Sequence, residues 1–155
     1  MIEKQPANVY GDPDKSPGRQ LWIATKAWHR MMQRELEPLG LTHAQFLLLA
    51  SLDYLSQREE TVTLRRLCRF APMDENMASQ VVKSLIEKEW VEKSEHPTDR
   101  RSQRLEPTAA GRAKVAEAML VSRPANAAFF EPLGEKTGEL AAMLLTLTGG
   151  EAGEE

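Results

Sequence analysis

This sequence predicts a mainly α-helical domain with one small β-hairpin, and three observations carry that expectation. Apolar residues recur at three- and four-residue spacing through most of the 155 residues, as in helices with one buried face. After Glu89 the period changes, and Trp90-Val91 and Leu105 read as anchors of two short strands around a His96-Pro97-Thr98-Asp99 turn. An amphipathic helix leads straight into that hairpin, and Arg100-Arg101 follow its tip. A helix followed by a hairpin with arginines at the loop is a winged helix-turn-helix, an α+β arrangement.

Taken in order, residues 1 to 15 contain Pro6, Gly11 and Pro13 and show no periodicity. They read as a flexible arm, either mobile or crossing a partner subunit. A first helix starts near Ser16, with Pro17 where proline is tolerated, and Pro38 with Gly40 ends it. Leu21, Ala24, Trp28, Met31, Met32 and Leu36 define its expected buried side. Trp22 and Trp28 point in different directions, so either both fill core or one serves a subunit contact or cavity wall. Thr42 caps the second helix, with Gln45 at the capping-box position, and Phe46 to Leu49, Leu52 and Leu55 form its apolar face. After the polar linker SQREET, Thr63 caps a short third helix with Leu64 and Leu67 inward and Arg65, Arg66 and Arg69 outward.

Pro72 and Asp74 supply the turn and cap before a fourth helix. Its apolar stripe is Met77, Val81 and Leu85, flanked by Val82 and Ile86; its other face is Asn76, Ser79, Gln80 and Lys83. Ser102 to Glu106 return as the second strand with Leu105 inward, and Pro107, lacking an N–H, fits only its end or edge. Thr108 caps a long helix reaching about Glu131, with Val115, Met119, Leu120, Ala127 and Phe130 at helical spacing. Pro124 within it predicts a kink or break near Ser122. Glu135 to Leu147 forms the last helix, with Leu140, Met143, Leu144 and Leu147, and residues 149–155 read as a disordered tail. The terminal helices carry more apolar surface than such a core needs, which predicts a homodimer.

The run Leu64-x-x-Leu67, the helix through Leu85, Trp90-Val91-x-Lys93, and Pro97-x-Asp99-Arg100-Arg101-x-x-x-Leu105-x-x-Thr108-x-x-Gly111-Arg112 resembles the MarR family of bacterial transcription regulators. Leu41-Thr42-x-x-Gln45-Phe46-x-x-Leu49 is similar to the second helix of that family, and the resemblance covers residues 16–148. The sequence departs from the family at Pro107, where an aliphatic residue is usual, and at Pro124, inside a normally long helix. The resemblance implies a single domain over 16–148, with 42–107 as the DNA-binding lobe and 16–38 and 108–148 as dimerisation helices. It implies a ligand-responsive repressor on a pseudo-palindromic operator, double-stranded DNA and a second copy being its partners. A winged-helix protein-interaction module without sequence-specific DNA binding is the alternative.

A formal net charge of −3 does not by itself suggest a nucleic-acid partner, but the charge is unevenly spread. Arg58, Arg65, Arg66 and Arg69, and then Lys93, Arg100, Arg101, Arg104 and Arg112, face few acids, whereas the segment from Glu131 onward is acidic. A basic face can therefore coexist with an acidic total. The candidate DNA-binding residues are Asn76, Ser79, Gln80, Lys83, Arg100, Arg101 and Arg65. Gln80 suits an adenine edge, Lys83 a phosphate, and Arg100 the minor groove. For Arg101 two roles stand open: DNA contact, or the pairing with a carboxylate such as Asp99 that the resemblance implies.

Trp22, Trp28, His29, Met32, Phe46 and Met119 are candidates to line a pocket for an apolar or aromatic small-molecule effector, or simply fill core. The single cysteine, Cys68, reads as a buried inert thiol or, with Arg65 and Arg69 near, an oxidation sensor. His29, His43 and His96 lack metal-ligand spacing, and no nucleophile elbow or phosphate loop occurs, so neither a cofactor, a metal nor an enzymatic activity is expected. With no long apolar run and no signal-peptide core, the expected setting is cytoplasmic, without membrane.

Overall fold

A computed structural model of the chain describes residues 11–71 and 73–149. The expected arm over residues 1–10, the Pro72 turn and the expected tail over 150–155 lie outside the described residues. Among the described residues, six α-helices and a two-stranded sheet follow in order: α1 (Pro17–Leu36), α2 (His43–Ser56), α3 (Leu64–Phe70), α4 (Glu75–Glu87), β1 (Val91–Glu95), β2 (Gln103–Pro107), α5 (Ala109–Phe130) and α6 (Thr137–Leu147). The architecture is mainly α with a β-hairpin wing, the class the sequence predicts.

Local chemistry sets most boundaries. Ser16, Thr42, Thr63, Asp74 and Thr108 each accept a backbone N–H of the first turn of their helix. Each such cap is worth about 1 kcal/mol. At α2 the capping box closes in both directions, Gln45 N–H to Thr42 Oγ1 at 3.1 Å and Thr42 N–H to Gln45 Oε1 at 3.0 Å. Gly40, left-handed at φ 71°, ends the α1 corner.

One core fills the lobe from α2 to β2. Leu48, Leu49, Leu52 and Leu55 of α2 meet Val62, Leu67 of α3, Val82 and Leu85 of α4, Val91 and Leu105 of the hairpin, and Val115 of α5. Each fully buried leucine here contributes about 2 kcal/mol. A second cluster, Met32, Leu36, Leu41, Phe46 and Ala118, joins α1 and α5 to that lobe. The strands pair antiparallel from Val91↔Pro107 to Glu95↔Gln103, which puts Pro107 at the strand end, and the Leu105 N–H donates to the Val62 carbonyl at 2.8 Å.

The hairpin is clasped to α5 by main-chain contact. Glu89 leaves α4 at φ 58°, the Thr108 hydroxyl donates to the Glu89 carbonyl at 2.7 Å, and the Thr108 N–H donates to the Trp90 carbonyl at 3.0 Å. One turn on, a Cβ at Gly111 would lie 2.0 Å from that same carbonyl oxygen. The Thr-x-x-Gly spacing is thus explained: threonine bonds the incoming strand and glycine lets the helix sit against it.

Several expectations require correction. In α4 the buried stripe is Ala78, Val82 and Leu85, with Val81 and Ile86 half-buried; Met77 is 49% exposed. In α1 only Met32 and Leu36 are buried, while Leu21 and Ala24 are exposed, because no described residue packs over their side chains. Along α5, Val115 is buried as expected, but Leu120 and Ala127 are exposed, and Ala118 and Ser122 are buried instead. No break occurs near Ser122, since α5 runs on through Pro124. The proline ring lies on the exposed side, where loss of one N–H is tolerated. Glu135 and Lys136 belong to a 3-10 turn over Glu131–Lys136, with Gly134 at φ 54°, so α6 starts later than expected. Residues 13–15 form a short 3-10 turn before α1.

Candidate nucleic-acid interface

The Asp74 carboxylate accepts the Met77 N–H at 2.9 Å and so starts α4 immediately after the α3–α4 turn. Beside α4 stands the hairpin, and between them opens a groove of about 690 Å³ reaching the start of α3. Arg65 from α3, Ser79 and Lys83 from α4, and Lys93 and Arg101 from the hairpin line it, together with the acids Glu75 and Glu87. Asn76 and Gln80 are exposed on α4 but do not line this groove, and Arg100 is exposed at the hairpin tip. Four of the seven candidates (Arg65, Ser79, Lys83 and Arg101) are therefore brought to one concavity, and three stand on the surface around it.

The hairpin tip is held by side-chain acceptors. His96 Nδ1 accepts the N–H groups of Thr98 at 3.2 Å and Asp99 at 3.1 Å. The Asp99 carboxylate accepts the Arg101 main-chain N–H at 2.9 Å and the Ser102 hydroxyl at 2.8 Å. Those two bonds, the backbone one foremost, hold the Asp99 carboxyl below the usual carboxylate range. Asp99 thus engages Arg101 through the backbone, and the Arg101 side chain lies along the groove.

Not every arginine of the basic segments is available. Arg66, expected to face outward, is half-buried and donates three hydrogen bonds to Glu59. Arg104 pairs with Glu106 at 2.9 Å, and Arg112 with Asp53 at 2.6 Å. Their charge is neutralised locally, which concentrates the positive field on the groove side. Lys93, counted with the basic residues of the hairpin but not among the candidates, also lines the groove; it lies in β1 opposite Leu105 of β2.

Burial raises the Cys68 thiol, and the Glu75 and Asp74 carboxylates raise it further. The shift is away from the thiolate, and neither Arg65 nor Arg69 is among its causes. Among the described residues no cluster of three or more metal-ligating side chains occurs, and no helix is long and apolar enough to cross a membrane.

At the other end of the lobe, Trp28, Met32, Phe46 and Met119 share one apolar cluster between α1, α2 and α5. The Trp28 indole N–H donates to Asn126 Oδ1 at 2.9 Å, tying α1 to α5. The His43 ring packs edge-on to both Trp28 and His29, with centroids 4.9 Å apart in each case. Burial, and then the neighbouring His29, lower the His43 pKa from its usual 6.5. Trp22 is not brought to this cluster; it is 64% exposed near the start of α1, under the Lys26 ammonium.

Residues 41–111 match a model of the winged helix DNA-binding domain. The chain is 36% identical over 134 residues to the uncharacterized HTH-type transcriptional regulator YdcH of Bacillus subtilis, covering 86% of this chain and 91% of that protein. Its fold is similar to that of CouR from Rhodococcus jostii bound to p-coumaroyl-CoA, with a TM-score of 0.78 and 21% identity over 94% of this chain and 98% of the other. A mutant Escherichia coli MarR complexed with operator DNA gives a TM-score of 0.74 and 22% identity, over 84% and 91% of the two chains.

Proposed function

This chain belongs to the winged helix HTH-type transcriptional regulators, and we propose that it is a MarR-like member that binds a pseudo-palindromic operator as a homodimer. The observation that carries this reading is the groove between α4 and the hairpin. It gathers Arg65, Lys83, Lys93 and Arg101, while Arg66, Arg104 and Arg112 outside it are paired with acids. In this reading α4 enters the major groove with Asn76, Ser79 and Gln80 toward base edges, Lys83 and Arg65 hold phosphates, and Arg100 reaches the flanking minor groove. Arg101 and Lys93 line the concavity through which the backbone passes.

The dimer rests on apolar surface that one chain leaves open. Trp22, Leu120, Met143 and Leu147 are all more than half exposed on α1, α5 and α6, and a second copy would cover them. An apolar or aromatic effector would sit against Trp28, Met32, Phe46 and Met119, where α1 and α5 meet the lobe. It would act by binding one dimer geometry better than another, which alters half-site spacing. His29 contributes there through His43, and Trp22 only as subunit surface.

The test is an electrophoretic shift of the full chain on the upstream region of its own gene, at low salt and across a salt series. Saturable binding with a strong preference over random duplex, and a logarithmic salt slope of about −0.9 per neutralised phosphate, is the expected result. Equal, weak retention of every duplex would favour the alternative of a protein-interaction module, for which Glu75 and Glu87 in the groove are the supporting feature.

A further inference from the structure

Met77 is the one large apolar side chain of α4 that stands exposed among the described residues. The helix does not need it for packing, because Ala78, Val82 and Leu85 already close the lobe. Nor does it belong to the open apolar surface of α1, α5 and α6 that a second copy would cover. Its position is fixed: the Met77 N–H is held by the Asp74 carboxylate, so the residue lies in the first turn, the part of such a helix that meets base edges. Asn76 precedes it and Gln80 follows three residues on, both exposed, so the three form one outward patch.

We propose that Met77 is a specificity-determining residue that reads the 5-methyl group of a thymine in each half-site. The assignment rests on the DNA-binding reading above and adds a base preference to it. In the major groove the thymine methyl is the apolar feature a protein can recognise, and asparagine or glutamine suits the adenine of the same or a neighbouring pair. An unbranched thioether adapts its rotamers to a methyl group whose position varies with local twist. With Asn76 and Gln80 on either side, the patch is matched to an A·T-containing step. The groove cations, which hold the backbone beside α4, bring those edges within reach.

The experiment starts from a randomised duplex pool selected with the full-length dimer at low salt. In the enriched duplex, thymines are replaced one at a time by deoxyuridine, which removes only the methyl group, and affinity is read by fluorescence anisotropy. For the parent, one thymine per half-site is expected to lose about fourfold in affinity on replacement. Met77→Ala should bind the thymine and uracil duplexes equally, and Met77→Leu, which keeps an apolar tip, should retain the difference. Because the side chain is exposed, the variants are expected to keep the parent's circular dichroism and melting curve. Uracil profiles that coincide for parent and Met77→Ala, with operator binding intact, overturn the assignment of Met77 alone. A parent that enriches no sequence overturns the regulatory reading and this assignment with it.

Discussion

The lobe from α2 to β2 and the terminal helices use apolar residues in opposite ways. In the lobe, Leu48, Leu49, Leu52, Leu67, Leu85 and Leu105 are closed from water by their own chain. On α5 and α6, Leu120, Met143 and Leu147 stand open, and so does Trp22 on α1. The lobe's hydrophobic stabilisation is therefore intramolecular and independent of concentration. Any gain from covering those open side chains has to come from association, which depends on protein concentration. The two regions meet at the Gly111–Trp90 contact and at the cluster around Met32 and Phe46.

The largest effect should come from breaking the joint between them. Gly111→Ala sets a methyl group against a main-chain oxygen that cannot turn aside, and should cost about 3 kcal/mol in denaturant unfolding. An unchanged midpoint would mean that the hairpin and α5 are loosely coupled. Next, replacing Met143 and Leu147 together by serine should weaken dimerisation at least about 100-fold in sedimentation equilibrium. The lobe should stay folded by circular dichroism; its collapse would show that the regions are not separable.

Within the lobe, free and paired arginines should differ. Arg101→Ala should weaken operator binding about fivefold and reduce the logarithmic salt slope by about 0.9 per half-site, whereas Arg104→Ala, already paired with Glu106, should alter the slope little. Equal losses for the two would remove the distinction. The smallest effect concerns His43 at the junction. Its folded pKa lies below the usual 6.5, so the unfolded chain takes up the proton first as pH falls. Stability should then decline below pH 6.5 until the folded pKa is passed. His43→Gln should show a shallower fall in melting temperature over that window, and parallel curves would assign the loss elsewhere.

Elements bounded by local chemistry were legible from sequence: the caps Ser16, Thr42, Thr63 and Thr108, the hairpin and its register-ending Pro107 all stand where spacing puts them. The phase of α4 was not. Met77–Val81–Leu85 and Ala78–Val82–Leu85 both repeat at helical spacing, and alanine, being small, carries little hydrophobic weight although it permits the close approach that packing requires. Ion pairs between elements distant in the chain were equally hidden. Arg112 and Asp53 are far apart in sequence and meet only once α2 and α5 pack, and nothing local marks Arg66 for Glu59. The exposed half of α1 shows the same limit, since periodicity reports an apolar face without saying which molecule covers it.

The length of α5 has a mechanical corollary. At 22 residues it is a rod of about 33 Å, and its first turn is seated on the Trp90 carbonyl without room for even a methyl group. A 10° tilt imposed at the far end would swing the near end through about 6 Å, comparable to one helical pitch. A tilt of α5 would then be levered into displacement of the hairpin.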